Sequence, residues 1–305
     1  MLKSIANQVA CRGANSANTG KLGCLSLFGS VEHFLCIPRG HKYSGTTVFN
    51  IDFITTEIEE NRMIPLIGAS TFEDVSGEDS YSSNSSTVKR LNIPGLPEYR
   101  LTFEEGHEFY RELSKLESFK TYDIILGDEN GNWMVTTSSD DSFGGFSTGH
   151  LTPELTSRKV KGGDSEMKSI LSQFIDRLQW DKNYAILHSD AEDIDFIPSE
   201  IPSINGINLS FDAIPVAAET SLKVAVKLAA DNTTYVEGLE LLDIEVLVNG
   251  SSVVIADVTE ANNIYDVEIP AVATGDKIVV RAEGIVNLTG TLYRTNSEAS
   301  VEAIT

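Results

Sequence analysis

The chain of 305 residues is long enough for two domains, and with 41% hydrophobic and 22% charged residues it has the composition of a globular protein able to bury a core in each. Its 45 acidic against 23 basic side chains leave a net charge of −22, which repels phosphate backbones and anionic membrane surfaces. Sequence-reading of duplex DNA is not expected on that ground.

The charge is uneven along the chain. Residues 1–44 carry Lys3, Arg12, Lys21, Arg39 and Lys42 against the single acid Glu32, and form a basic Gly- and Asn-rich arm leading into the body. All three cysteines, Cys11, Cys24 and Cys36, fall in this stretch, with spacings of thirteen and twelve that match no zinc finger or redox pair. They read as reduced thiols packed as small apolar residues, since a metal site would need a fourth ligand, for which His33 and His41 are the candidates. The opening MLKSIANQVACRG lacks an apolar core of signal-peptide length, and no segment approaches a membrane span, so folding in a cytoplasm is expected. The sequons at Asn84, Asn208, Asn232, Asn249 and Asn287 therefore carry little weight.

A body domain is expected over residues 45–205. Phe49, Ile51 and Phe53 alternate with Asn50 and Asp52, which predicts a half-buried strand over 46–54. The run VSGEDSYSSNSST over 75–87 is too polar to bury and reads as a solvent loop. A helix is predicted over Leu101–Leu116, about 103–117 in its regular part, because Phe109, Leu113 and Leu116 repeat at helical spacing and Thr102 and Glu105 have capping-box spacing. Thr121–Leu126, the turn Asp128-Glu129-Asn130-Gly131 and Trp133–Thr137 predict a hairpin. The glycines of 143–149 permit a bend or a close subunit contact. Met167 to Leu178 fits a helix or a strand equally, and the acidic, proline-punctuated 189–202 reads as a linker, with the domain boundary near 203–210.

The last module, 209–305, has no His, Cys or Trp. Leu222, Val224, Val226 and Leu228 alternate with lysines, Ile244 to Val248 runs into Asn249-Gly250 with Val253 and Ile255 returning, and 264–269 and 277–282 add two more strands. Such spacing predicts a β-sandwich of immunoglobulin-like type; without the Cys, Trp, Cys hallmark, a fibronectin-type or other small sandwich fits equally. The fold class expected for the whole is mainly β with one or two helices, a β-sandwich body plus the C-terminal Ig-like sandwich.

Several motifs approach known chemistry. Gly145-Phe146-Ser147-Thr148-Gly149 matches the G-x-S-x-G nucleophile elbow, with His188 and Asp164 available as triad partners, but an elbow needs a strand before the serine and a helix after it, and Thr152-Pro153 interrupts any helix. Asp128, Asn130 and Asn132 approach a calcium loop, yet Gly131 is at the fourth position and Ser139 at the twelfth, so a hairpin turn accounts for them better. Asp190, Glu192, Asp193 and Asp195 read as a solvated linker. Gly20-Lys21 is followed by Leu22 where a P-loop needs Ser or Thr. The histidines are scattered, with His107 an exposed helix residue, and Trp133 and Trp180 read as core or interface. No catalytic, cofactor-binding or metal residues are assigned; an enzyme, a cofactor, a small-molecule substrate and a membrane partner are not expected.

The segment YDIILGDENGNW…SFGGFSTGHL over 122–151, with the LIGASTFEDVS stretch before it, resembles virion structural proteins of tailed phages infecting Bacteroidetes; the similarity is one of pattern and covers residues 20–190. An acidic β-rich body with a C-terminal Ig-like domain is also similar to phage major tail (tail tube) proteins. The resemblance implies a hexameric ring stacked into a tube, the Ig-like domain outward, partners among copies of itself and other virion proteins, and location in the virion after assembly in the host cytoplasm. It carries over no catalytic residue. An acidic lumen would let DNA slide past without gripping it, and the basic head or the Ser-rich 76–87 loop would serve as arms that order on assembly. The alternatives are a capsid-associated or head-fibre protein, a surface- or carbohydrate-binding protein using Phe211, Tyr235, Tyr265 and Tyr293, and, more distantly, a hydrolase.

Overall fold

The computed structural model describes residues 28–83, 89–93, 95–139, 141–155, 167–174, 183–187, 194 and 196–303. They fall into two compact units, the first within residues 1–55 and 62–201, the second within 56–61 and 202–305. The fold is mainly β, as expected, with two α-helices among the described residues.

The first unit holds β1 (Val31–Pro38), β2 (Lys42–Ser44), β3 (Ile64–Leu66), β4 (Thr71–Asp74), β5 (Ser80–Ser83), β6 (Lys89–Ile93), β7 (Glu98–Glu104), β8 (Ser118–Phe119), β9 (Tyr122–Asp128), β10 (Trp133–Thr137), β11 (Ser142–Gly144), β12 (Phe146–Leu155), β13 (Met167–Phe174) and β14 (Tyr184–Leu187). Helix α1 (Ile51–Glu59), whose residues 56–59 count with the second unit, follows β2, and α2 (His107–Ser114) follows β7. Twelve strands share one curled sheet whose main path runs β2, β11, β10, β9, β12, β13, β7, β4. β9 is its spine: it pairs with β1 along one side, and on the other with β10 near one end and β12 near the other. Its unbroken Ile124-Ile125-Leu126 run is buried on both faces, as an interior strand requires. Phe34, Leu101, Phe103, Phe146, Leu151 and Ile170 complete the core on one face.

Three expectations in this unit are corrected. The strand predicted over 46–54 is absent, and its last residues from Ile51 open α1: the Asn50 side chain caps it by accepting the Phe53 N–H (3.0 Å), Asp52 favours its N-terminal dipole, and Ile54 and Ile58 are buried at helical spacing. The predicted helix over 101–116 begins only at His107, after Gly106, with no side-chain cap. Tyr99, Leu101 and Phe103 alternate into the core as β7, held between β4 and β13, so two-sided pairing overrides the Thr102/Glu105 capping pattern. The Ser-rich 75–87 stretch contributes β5, paired with β6 alone; residues 84–88 lie outside the described set. The ambiguous 167–178 segment is strand as far as Phe174, and 175–178 lie outside.

The second unit packs two sheets over one core. β15 (Ile204–Phe211), β16 (Ser221–Leu228), β19 (Asp257–Ala261), β20 (Ile264–Glu268), β22 (Ile285–Leu288) and β23 (Thr291–Ser297) form one sheet, and β17 (Ile244–Val248), β18 (Ser251–Ser252), β21 (Lys277–Ala282) and β24 (Ala299–Glu302) the other. Inward residues such as Leu222, Val224, Val226, Val246, Val267 and Val280 fill the space between them. Asn249-Gly250 (φ 52° and 82°) has the left-handed backbone of a type I′ hairpin turn, and Asn262-Asn263 (φ 54° and 64°) repeats the device between β19 and β20. β18 covers only Ser251–Ser252, shorter than the return strand expected through Ile255, and β15 begins at Ile204, ahead of Leu209. Tyr265 is fully buried; its hydroxyl donates to the Val236 carbonyl (2.9 Å), accepts the Leu239 N–H (3.2 Å), and burial pushes its pKa up to about 12. It thereby pins the 236–239 loop to β20.

Candidate functional site

Ser147 lies inside β12, opposite Asp123 of β9, so the G-x-S-x-G stretch forms no strand-turn-helix elbow; His188 and Asp164 lie outside the described residues. Asp123 is buried and its Oδ2 accepts the Gly40 N–H (2.8 Å), securing the turn between β1 and β2. Burial pushes its carboxyl up, against the pull of the Gly40 N–H, the Ser147 hydroxyl and Arg39. Gly144 and Gly145 do not adopt a left-handed backbone. Gly145 instead lets two strands approach: a Cβ there would stand 2.7 Å from the Ile124 nitrogen.

Asp128 is fully buried, and its two oxygens are filled from within the chain. Oδ1 accepts the N–H groups of Asn130 (2.9 Å) and Asn132 (2.8 Å), while Oδ2 accepts the Gly29 N–H and the Asn132 Nδ2 group (both 2.8 Å). Gly131, at φ 78°, completes the turn. The calcium-loop pattern is thus a hairpin turn built around one carboxylate. Among the described residues no group of three or more His, Cys, Asp or Glu is placed to hold a metal ion. Cys36 is buried against β9, where burial pushes its thiol up to about 12, so it packs as a small apolar residue; Cys11 and Cys24 lie outside the described residues, as do Asp190, Glu192, Asp193, Asp195 and Trp180. Trp133 is core, ringed by Phe49 and Phe196 at 6.0 and 6.3 Å, and the side chain of His107 lies outside what is described. Among the described residues no helix is long and apolar enough to cross a membrane.

His33 is buried beside Asp128 and Trp133, and its Nδ1 accepts the Gly68 N–H (3.0 Å), which puts the ring proton on Nε2. Burial lowers its pKa from 6.5, against the opposing pull of Asp128. The unfolded chain therefore binds this proton first. The stabilising contribution is whole above pH 6.5 and is lost as pH falls toward the folded-state value, at up to about 1.4 kcal/mol per pH unit. Urea unfolding at a series of pH values is expected to show stability falling below pH 6.5, and falling less steeply in His33→Gln.

Two surfaces of the first unit have chemistry that the sequence reading missed. The first is a cleft of about 580 Å³ between the 74–81 stretch leading from β4 into β5 and residues 95–99 at the start of β7. Asp74, Glu78 and Asp79 supply its charge, Tyr81 and Tyr99 its ring faces, and Leu96 and Pro97 its apolar wall. The wall is fixed by its own hydrogen bonds: Asp79 accepts the Gly95 N–H (2.7 Å) and the Tyr81 hydroxyl (3.1 Å), and Asp74 accepts the Ser76 N–H (2.9 Å). Burial and the Asp74 charge push the Tyr99 hydroxyl well above the ordinary phenol range. Acids and aromatic faces together suit a cationic side chain on an apolar stem.

The second surface is a knob at the β8–β9 corner. Phe119 is 67% exposed, with the Lys120 ammonium 5.1 Å from its ring centre and the His150 ring against its edge at 6.3 Å. Lys120 itself has φ 57°, a left-handed backbone uncommon for lysine, fixed by its N–H on the Gly149 carbonyl (2.7 Å). The acid density of 73–79 was the only sequence signal for the cleft, and for the knob there was none, because exposure of a single Phe has no periodicity.

Compared with known proteins, the chain matches no protein-family model and no curated relative.

Proposed function

We propose that this chain is a structural protein of a tailed-phage virion, the subunit of the tail tube, which assembles with copies of itself and other virion proteins and carries its second unit outward as an Ig-like display domain. The observation that carries the reading is the place of residues 122–151 in the fold. The stretch on which the phage resemblance rests forms β9 to β12 of the large sheet, including its spine β9, and its polar motifs are taken up by turns and strand contacts. The acidic excess suits a lumen past which DNA slides. The glycan-binding alternative has less support in the second unit, where Tyr265 is buried, Phe211 and Tyr293 are partly buried, and Tyr235 lies under the Lys227 ammonium at 4.8 Å.

Electron microscopy of the purified full chain tests the reading. Rings or tubes of uniform diameter are the expected result; persistent monomers or trimers would tell against a tail tube and toward a decoration or fibre protein.

A further inference from the structure

We propose that two copies of this chain associate by a knob-in-cleft contact, in which Phe119 and Lys120 of one copy seat in the cleft walled by Asp74, Glu78 and Asp79 of the next; the proposal rests on the self-assembly reading above. Within the large sheet β8, β12, β13, β7 and β4 lie side by side in that order. Their register places knob and cleft at one level, because Ser118 pairs with Leu151, Leu151 with Ser172, Ser172 with Tyr99, and Tyr99 with Asp74. Four strand spacings, about 19 Å, separate the two surfaces. Phe119 stands exposed and neither it nor Lys120 lines the cleft, so the knob of a copy does not fill its own cleft.

The chemistry of the two surfaces is complementary. A chain with net charge −22 repels its own copies, and a contact between them must set its scarce cations against its acids. Lys120 brings a cation to a cleft with three carboxylates, and relieves their mutual repulsion. Phe119 offers a ring to the exposed Tyr81 and Leu96, an aromatic anchor of the kind that dominates interface energies. Because knob and cleft are different patches on opposite edges, the contact is heterologous: each copy offers one of each, so contacts propagate to a closed ring or an open filament.

The test uses the full chain and two variants at exposed positions, a knob variant (Phe119→Ala with Lys120→Glu) and a cleft variant (Glu78→Lys), each verified as folded by circular dichroism. Sedimentation velocity of the unaltered chain is expected to show species larger than dimers. Each variant alone is expected to stay monomeric, with association weakened by about 30-fold or more, as when an anchor residue is lost from an interface centre. An equimolar mixture is expected to give a 1:1 dimer and nothing larger, since it holds one intact knob and one intact cleft. A folded variant that assembles like the unaltered chain, or a mixture that stays monomeric, overturns the contact while self-assembly stands. An unaltered chain that is monomeric at all concentrations overturns both the self-assembly reading and this contact.

Discussion

Asp128→Ala is expected to cost about 4 kcal/mol of stability in the first unit, read as a fall in the urea midpoint with the slope unchanged. The carboxylate is fully buried and accepts from Gly29, Asn130 and Asn132, the last through both its backbone and side-chain nitrogens. Truncation leaves these buried donors without an acceptor, and the cost of unmade buried hydrogen bonds exceeds the net worth of made ones. Asp128→Asn separates charge from geometry. Its amide oxygen keeps the pair of bonds to Asn130 and Asn132, but its NH₂ group meets the Gly29 and Asn132 donors head on, so about half the loss is expected to remain. A loss below about 1 kcal/mol for the alanine variant would show that the turn holds by backbone geometry alone.

Gly145→Ala is the second large effect, about 3 kcal/mol or more. The added methyl would meet three backbone atoms of Asp123 and Ile124 at 2.7 to 2.9 Å, none of them the loose end of a side chain. The Gly145 carbonyl is also tied by the Thr136 hydroxyl (3.0 Å), so this segment cannot drift outward without breaking a buried bond. A calorimetric melt would show the first unit unfolding at lower temperature. The second unit's transition is expected to stay in place, because it holds a core of its own. Ser147→Ala, at the centre of the same motif, changes no backbone contact but removes the hydroxyl that bonds the buried Asp123 carboxyl, and is expected to cost less, about 1 to 2 kcal/mol.

How much of this was legible in the sequence depended on whether one pattern ruled a segment. In the second unit alternation, Asn-Gly and short spacing agreed, and β16, β17, β20 and β21 lie where they were expected. In the first unit patterns conflicted. Phe49, Ile51 and Phe53 alternate, yet Asn50 caps a helix there, and a single side-chain bond outweighs a short alternation. Tyr99, Leu101 and Phe103 alternate just as clearly, but Leu113 and Leu116 downstream extended the helical period backwards across a real boundary at Gly106. The turn at Asp128 was legible from Asp128 and Gly131; that its carboxylate also reaches Gly29, ninety-nine positions away, was not. The cleft and the knob escaped for the same reason. They are made by register across β8, β12, β13, β7 and β4, and register is set by long-range pairing that a single sequence does not display.

The pairing of β15 with β23 has a mechanical side. These two strands, one near the start of the second unit and one near its end, run parallel and side by side, with Ile204 beside Leu292 and Ile207 beside Thr295. Tension entering at Ile204 and leaving beyond Ser297 would pull them past one another along their length. Their cross-strand bonds would then carry the load together instead of parting one at a time, as they would in a hairpin pulled open from its ends. Opposed pulls on Ile204 and Ser297 therefore load this pair in shear.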